Sequence, residues 1–260
     1  MKYMDGVFIG HQELNVRKNI MAIRLEKGQR INLEKTNGSK LTNFCVGCNW
    51  GALLRTERRE VVVDEGFLGF GRKTEYRNVN TTIDVDLDLS CLMFDENGEI
   101  CDHIYSPLYQ FSRHNVGLPN GKLDSLDKAL HHTGDDTEGD QNGDDGLDNE
   151  IITVNLVKVN PKINQIVFFL NIYNNDDFKG DFSEIPYASI RMYEGTPSKV
   201  QEVFAQYDVA TQSNCVGKRA LVMGKLYRRN GEWKFGAIGD AFEDKSIVNT
   251  IVRVVKNYNK

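Results

Sequence analysis

The 260-residue sequence predicts an all-β protein, an antiparallel β-sandwich with long acidic loops and a C-terminal α-helix. Three observations support this. Short runs rich in β-branched and aromatic residues recur along most of the chain. Turn signals such as DENGE at 95–99 and EGTPS at 194–198 separate them. A helical spacing of apolar residues is found only near the C-terminal end.

The predicted strands follow one another with few helical patterns between them, which favours two packed antiparallel sheets. The Asn230-Gly231 pair predicts a two-residue hairpin turn inside the last run. Residues 55–80 are basic and glycine-rich and are expected to form an insertion or excursion. The predicted runs are 31–35, 43–50, 59–65, 81–94, 150–159, 163–173, 187–194, 200–209 and 218–239.

The C-terminal segment 243–260 predicts an amphipathic helix packed on the domain, with Asp244 or Ser246 as its N-cap. Its apolar residues are spaced by three and four positions: Ile247, Ile251, Val254, Val255 and Tyr258. The sandwich itself is assigned to residues 21–242. Residues 1–20 show no periodicity, so they are either a loose extension or a segment upstream of a start at Met21.

Composition excludes several classes of protein. Hydrophobic residues at 40% and charged residues at 27% are ordinary for a soluble domain. A net charge of −5 disfavours nucleic acid as a partner. The sequence contains neither a long apolar span nor a secretory signal, and its five scattered cysteines fit reduced thiols, so a cytoplasmic location is expected. The lone Cys45–Cys48 CxxC lies within a strand pattern, which disfavours a redox or zinc site.

Three carboxylates alternate along the 81–94 run. Asp84, Asp86 and Asp88 would share one strand face, with Val85 and Leu87 directed into the core. A solvated strand face usually mixes acids with other polar residues, because a row of like charges is repulsive. Metal binding and a merely solvated face both remain open at this point.

The second acidic element is the run at 133–150, which holds eight carboxylates, four glycines and no lysine or arginine. Like-charge blocks are commonly disordered. Here, however, a strong strand follows at once, and glycines permit the tight turns that bring carboxylates to one cation. Oxygen ligands on a flexible backbone suit Ca²⁺. An EF-hand is excluded, because a loop starting at Asp140 has Asp145 and Ile151 where glycine and glutamate are required.

Catalytic signatures are absent from the sequence: it has no Walker, Rossmann, nucleophile-elbow or Ser/His/Asp pattern. His131 and His132 are the nearest potential base or nitrogen ligands to the acids, and a loop or strand-edge role is favoured for both. A protein without enzymatic activity is therefore expected. The basic stretch 55–77 could bind an anion or another protomer's acidic loop, although a solvated loop is favoured.

Several motifs together resemble the TerD family of tellurium-resistance and stress-response proteins. The run from His132 to Glu150 resembles the family's HTGD opening and acidic loop, and Asp84-Val85-Asp86-Leu87-Asp88 its Asp-x-Asp-Leu-Asp strand. Gly224 to Phe235 resembles its GELYRRNGEWKF-like hairpin, and Leu25 to Leu33 its opening LxKGxxxxL. The resemblance covers residues 21–240. A GLDN insertion before Glu150 and the long 55–80 excursion depart from short members, and the excursion resembles the longer Z-type branch.

The resemblance implies a calcium-binding β-sandwich of cytoplasmic bacterial proteins tied to tellurite resistance, chemical stress and phage defence, without established catalysis. We expect a calcium-dependent interaction module whose partners are other proteins of a stress-response complex or a second copy. The alternatives are a membrane-surface module using Phe67, Phe70, Arg72 and Lys73, and a metal-dependent hydrolase. The implied calcium ligands are Asp84, Asp86, Asp88, Asp135, Asp136, Asp140, Asp144, Asp145 and Glu150.

Overall fold

The computed structural model describes residues 23–24, 26–35, 38–65, 71–114, 116–174 and 178–260. The predicted extension 1–20 and the aromatic residues Phe67 and Phe70 lie outside these ranges.

Two six-stranded sheets form a β-sandwich, as the sequence predicts. The first sheet has the order β1 (Ile23–Arg24), β12 (Lys199–Asp208), β11 (Ala188–Thr196), β3 (Asn43–Trp50), β9 (Glu150–Asn155) and β8 (Leu130–His132). The second has the order β2 (Arg30–Asn32), β14 (Glu232–Phe242), β13 (Ala220–Arg229), β10 (Gln165–Ile172), β6 (Leu87–Phe94) and β7 (Ile100–Ile104). Strand β1 pairs with β12 in parallel, and the other strand pairs are antiparallel.

The main core lies between the sheets, where alternate residues of facing strands meet. Val46 and Cys48 of β3 contribute from one sheet, and Leu89 of β6 and Phe168 of β10 from the other; all are fully buried. The alternate residues of β10, such as Val167 and Phe169, lie on the other side of the second sheet. They are also buried, because that side carries the helix. This explains why 166–170 is a continuous apolar run and not a strict alternation.

The 81–94 run is not one strand, which corrects the prediction. Strand β5 (Lys73–Ile83) ends before Asp84, and β6 starts only at Leu87. The connecting residues Asp84, Val85 and Asp86 carry the chain from a projecting hairpin into the second sheet. Asp84 and Asp86 therefore do not extend from a regular strand face, and only Asp88 lies within a strand.

The 55–80 excursion is a long two-stranded hairpin of β4 (Leu53–Asp64) and β5. Its arginines are partly paired within their own strands, Arg59 with Glu57 and Arg77 with Glu75. Both roots of the hairpin lie at the acidic residues: β4 starts beside Gly51, which bridges to Asp140, and β5 leads directly into Asp84.

The C-terminal helix α1 (Ile247–Asn257) confirms the predicted helix. Ser246 is the N-cap and accepts from the Asn249 backbone N–H, whereas Asp244, the other candidate, forms an ion pair with Arg253. Ile247, Ile251 and Val254 pack on the outer face of the second sheet. None of the helices described is long and apolar enough to cross a membrane.

Two local predictions are also confirmed. Asn230 and Gly231 have φ of 54° and 78°, the positive values that a tight hairpin turn between β13 and β14 requires. All five cysteines are free thiols. Cys48 lies in the main core and Cys45 in a small cluster on the other face of β3, so the CxxC pair does not form a joint site.

Candidate metal centre

Trp50, at the end of β3, organises the acidic end of the sandwich. Its ring is fully buried, and its indole N–H donates to the Val85 carbonyl at 2.6 Å, which holds the link between the hairpin and β6. Its backbone carbonyl accepts from the Asp140 N–H at 3.0 Å. Gly139 lies directly against the indole: a Cβ there would come within 2.4 Å of it, and its φ is 71°. The ring therefore fixes both acidic segments against one strand end.

Four carboxylates, Asp84, Asp86, Asp88 and Asp135, line one cavity of about 330 Å³; we call them the inner group. Tyr109, Leu108 and Tyr173 form much of the remaining wall. Asp86 and Asp88 are 7% and 3% exposed, so they do not form a solvated face. The acids of residues 84–88 and the start of the acidic loop thus lie around a single cavity.

Burial and the charges of neighbouring acids make ionisation of Asp86 and Asp88 costly. Burial, followed by the charges of Asp135 and Asp136, raises the pKa of Asp86 to about 7. Burial and the neighbouring charges of Asp86 and Glu150 raise the pKa of Asp88 well above its usual range, although the Tyr109 hydroxyl donates to Asp88 Oδ2 at 2.5 Å. Among the described residues, neither Asp86 nor Asp88 forms a salt bridge with a cationic side chain.

Glu150, the first residue of β9, lies behind the inner group and is fully buried. Its Oε2 accepts from the Leu89 N–H at 2.7 Å, and its Oε1 accepts from the Asp136 N–H at 3.2 Å. Burial raises the pKa of Glu150 well above its usual value, with the charge of Asp135 adding to the effect. Glu150 thus joins β6, the acidic loop and β9.

Orphaned oxygens show that the inner group fits a hard cation. Asp86 Oδ1 and both carboxylate oxygens of Asp135 are buried without a hydrogen-bond donor among the described residues. A buried carboxylate oxygen without a donor is costly, and coordination to a metal is one of the few ways to satisfy it. Carboxylate oxygens in a flexible loop are the donor set that Ca²⁺ accepts. The residues present therefore fit calcium, which the family resemblance implies.

A second set of acids, which we call the outer group, consists of Asp140, Asp144 and Asp145. One carboxylate oxygen of each lies within 4.8 Å of the others. Asp140 is half-buried, whereas Asp144 and Asp145 are exposed. Oxygens spaced in this way could also bind a single cation. Seven of the nine predicted ligands thus fall into two neighbouring groups, and Asp136 and Glu150 lie outside both.

Amide side chains connect the two groups. Asn149 Nδ2 donates to Asp136 Oδ2 at 3.3 Å and to Asp140 Oδ1 at 3.1 Å, and Gln141 Nε2 donates to Asp84 Oδ1 at 3.1 Å. Asp136, one of the predicted ligands, also accepts backbone N–H groups from Glu138 and Gly139. Its oxygens are therefore already used to shape the loop between the groups.

Asn49 of β3 was not among the predicted ligands. It is 4% exposed, and its Nδ2 donates to Asp144 Oδ1 at 2.9 Å, while its Oδ1 is buried without a donor among the described residues. An amide oxygen in that state, beside the outer group, is a further potential oxygen ligand. The position next to Trp50 gave no acidic signal by which the sequence could reveal it.

Asp148 lies in the same loop, and its negative charge is compensated by an arginine. Arg191 of β11 donates its Nε to Asp148 at 2.9 and 3.1 Å and its terminal nitrogen to the Gly146 carbonyl at 2.8 Å. The side chain of Asp148 is buried and has its own cation. It is thus an ion-pair partner that fastens the end of the loop to the first sheet.

The two histidines are engaged away from the carboxylate oxygens that lack partners. His132 is buried; its Nε2 lies 3.1 Å from the Leu89 carbonyl, and its Nδ1 accepts from the Gly134 N–H at 3.0 Å. Burial lowers the pKa of His132. His131 lies 3.0 Å from Asp124 Oδ1, outside both acidic groups. Both ring nitrogens of His132 are therefore committed to structure.

Comparison with known proteins agrees with this architecture. The model of the TerD domain family matches residues 21–253. The stress response protein SCP2 of Bacillus subtilis is 33% identical over 235 residues, which are 90% of this chain and 100% of that protein. The tellurium resistance protein TerD of Serratia marcescens is 27% identical over 222 residues, 85% of this chain and 92% of that protein.

A solved structure supports the fold independently. A homologue of the telluride resistance protein TerD from Streptomyces coelicolor A3(2) superposes with a TM-score of 0.51 at 13% identity. The match covers 84% of this chain and 98% of that one. Since the family model spans most of the chain and the relatives align over nearly their whole length, the chain belongs to the TerD family, the family of tellurium-resistance and stress-response proteins.

Proposed function

We propose that the protein binds calcium at the inner and outer groups and acts as a calcium-dependent interaction module in the stress response. Each group would hold one ion. At the inner group, Asp86, Asp88 and Asp135 supply carboxylate oxygens, with Glu150 and Asp84 beside them. At the outer group, Asp140, Asp144 and Asp145 supply them, with Asn49 as a further oxygen, and Asp136 joins the two. Calcium would supply the positive charge that these residues lack.

One observation carries the proposal: Asp86 and Asp135 line a cavity with two further carboxylates and have buried oxygens with no hydrogen-bond donor among the described residues. A protein retains such an arrangement only at a considerable cost in folding free energy unless a cation compensates it. Calcium, with six to eight oxygen ligands in flexible geometry, matches a wide cavity of this kind better than Mg²⁺, which demands a near-ideal octahedron.

A role in binding, without catalysis, is supported by the surroundings of the acids. Metal-dependent hydrolysis needs a base or nucleophile beside the metal. Both nitrogens of His132 are hydrogen-bonded to the backbone, and His131 lies at Asp124. We therefore place the metal-dependent hydrolase below the interaction module.

The location of the acids supports coupling between calcium and a binding surface. Both roots of the β4–β5 hairpin join acidic residues, at Asp140 through Gly51 and at Asp84. An ion that draws the carboxylates together would also fix the base of this exposed hairpin. The partner would be another protein of a cytoplasmic stress-response complex or a second copy of the chain. A membrane surface is the alternative, for which Arg72 and Lys73 on the hairpin are available.

Calorimetric titration with Ca²⁺ tests the proposal, with Mg²⁺ as the comparison ion. We expect at least two Ca²⁺ ions per chain and much weaker Mg²⁺ binding. Affinity capture from bacterial extract, in Ca²⁺ and in EGTA, and sedimentation with anionic vesicles then separate a protein partner from a membrane surface. No calcium binding below millimolar concentration would refute the proposal.

A further inference from the structure

A basic groove lies on the outer face of the second sheet, on the strands β2, β14, β13 and β10. Gly236 of β14 pairs with Arg30 of β2 on one side and with Lys225 of β13 on the other. Directly opposed residues in antiparallel strands project to the same face. Two cations therefore flank a position that has no side chain, with their Cα atoms about 10 Å apart, twice the spacing of neighbouring strands.

The groove is a defined cavity of about 420 Å³, within the range of small-molecule sites. Its lining includes Arg30, Lys225, Lys260 and part of Arg228, whose guanidinium lies over Trp233, and none of the described residues that line it has an acidic side chain. In a chain with a net charge of −5, such a concentration of positive charge is not a consequence of composition.

The described partners of two groove cations are oxygens of other residues. Lys225 donates to Gln165 Oε1 at 2.7 Å and to a main-chain oxygen of Lys260. Arg228 donates to the carbonyls of Ile163 and Val159 at 3.0 and 3.3 Å. Among the described residues, neither side chain forms an ion pair, and burial lowers the pKa of Lys225. A bound anion would give a charged partner to Arg30, which forms no ion pair with any described residue.

The nearest acid along β14 on the same face is committed elsewhere. Asp240 contacts Lys27 and accepts the Tyr258 hydroxyl at 2.7 Å. The floor of the groove is different in character: Gly236, Ile238 and Tyr227 give it an apolar surface beside the cations. The hydroxyl of Tyr227 is buried without a hydrogen-bond partner in the described part of the chain.

We propose that this groove binds a phosphate monoester, its phosphate held between Arg30 and Lys225 above Gly236 and its organic part against Tyr227 and Ile238. A phosphate dianion offers several oxygens to separated donors, and guanidinium groups bind phosphate in a bidentate manner. A single carboxylate has fewer oxygens to bridge two cations at this separation. The volume and apolar floor favour an organic phosphate over a bare inorganic ion.

Titration of the full chain with inorganic phosphate and with phenyl phosphate, at low ionic strength, tests the proposal. We expect both to bind and phenyl phosphate to bind more tightly. The variants Lys225→Met and Arg30→Met should each weaken phenyl phosphate binding at least about tenfold, because a hydrogen bond to a charged group is lost. Lys199→Met, on β12 of the other sheet, is the matched control and should bind as the parent does.

Two further experiments show whether the phosphate binding is specific to this groove. Binding should be unchanged in EGTA and in Asp86→Asn, so that this site fails or succeeds independently of the calcium proposal. Sedimentation with phosphatidic-acid vesicles, with and without phenyl phosphate as competitor, distinguishes a lipid headgroup from a soluble phosphate ester as the source. The proposal is overturned if neither phosphate compound nor vesicle binds, or if Lys225→Met and Lys199→Met weaken binding equally.

Discussion

The inner and outer groups are built from the same residue type but differ in how the protein supports them. In the inner group Asp86 and Asp88 are buried, Asp135 is half-buried and Asp84 is exposed, and oxygens of Asp86 and Asp135 have no donor among the described residues. The outer acids lie on the loop, and two of the three are exposed. Asp140 and Asp144 already accept hydrogen bonds from Tyr187 and Asn49.

The difference shows that burial, more than charge density, creates dependence on a cation. Water and amide donors can support the outer group, so its metal-free form costs little. Asp86 is shielded from water, and its Oδ1 has no donor among the described residues, so the alternatives there are a bound cation or a proton. Asp148 completes the comparison, since it is equally buried but has Arg191 as a permanent partner. Metal removal, substitutions and changes of pH each test how strongly the inner group, the outer group and Asp148 depend on calcium.

Removing calcium should produce the largest change. A ligand that binds only the folded state stabilises it by about 2.7 kcal/mol at a hundredfold excess over Kd, which corresponds to roughly 5–10 °C in Tm for a chain of this size. Melting in EGTA and in excess Ca²⁺, followed by circular dichroism, measures the difference. Coincident melting curves would show that the buried acids do not depend on calcium.

Single substitutions should rank the two groups. Asp86→Asn should weaken calcium binding about tenfold or more, because a buried ligand charge is removed, and Asp144→Asn by a smaller factor, because solvent screens that charge. The double variant Asp86→Asn, Asp135→Asn should be non-additive, since both act on one ion. Asp86→Asn with Asp144→Asn should be additive within about 0.5 kcal/mol if the groups bind separate ions. Equal effects of Asp86→Asn and Asp144→Asn would remove the distinction between the groups.

The pH dependence of the metal-free protein should report on the inner group. The pKa values of Asp86, Asp88 and Glu150 are raised in the folded state, so the folded state binds more protons than the unfolded state. The free energy of unfolding in EGTA should then fall as pH rises from 7.0 to 8.5. The buried histidines, whose pKa values are lowered, act in the opposite direction only at lower pH, where unfolded histidine is protonated.

Melting temperatures in EGTA across this pH range measure the effect. The variant Asp86→Asn, Asp88→Asn should show a shallower slope, because two of the titrating groups are gone. A metal-free stability that rises between pH 7.0 and 8.5 would contradict the electrostatic picture of the inner group.

Asp148→Asn should have the smallest effect on calcium. Its carboxylate is paired with Arg191. Calcium affinity should therefore stay within about twofold of the parent, which is well below the tenfold change that 1.4 kcal/mol represents. The stability should still decrease, because Arg191 loses a buried partner. Calorimetry on this variant, beside Asp86→Asn, separates an acid that binds metal from an acid that fastens the loop. A loss of affinity equal to that of Asp86→Asn would place Asp148 among the ligands.

Much of the fold could be predicted from local sequence. Apolar alternation and turn residues identified most of the sandwich strands, the Asn230–Gly231 turn and the C-terminal helix, because backbone sterics and side-chain periodicity act over a few residues. The short strands β7 and β8 and the separate β5 were missed. Their sequences carry little apolar alternation, and pairing with distant strands, not local preference, makes them strands.

The candidate site, like the fold, could be predicted only in part from the local sequence. The acids themselves, and their glycine-rich setting, are visible in the printed sequence. Which of them share a cavity depends on Trp50, whose indole holds Val85 while its backbone holds Asp140. Asp148 looks like any other acid of the run until Arg191, 43 positions away, is seen to pair with it.

What the sequence determined by itself is the set of strands, the family motifs and the presence of excess negative charge at two places. The tertiary structure alone decided which charges are buried, which have partners, and that Arg30 and Lys225 flank Gly236 on another face. The physical reason is range: backbone preference is set by neighbours in the chain. Burial and electrostatic compensation are set by neighbours in space, which sheet pairing brings together from distant parts of the sequence.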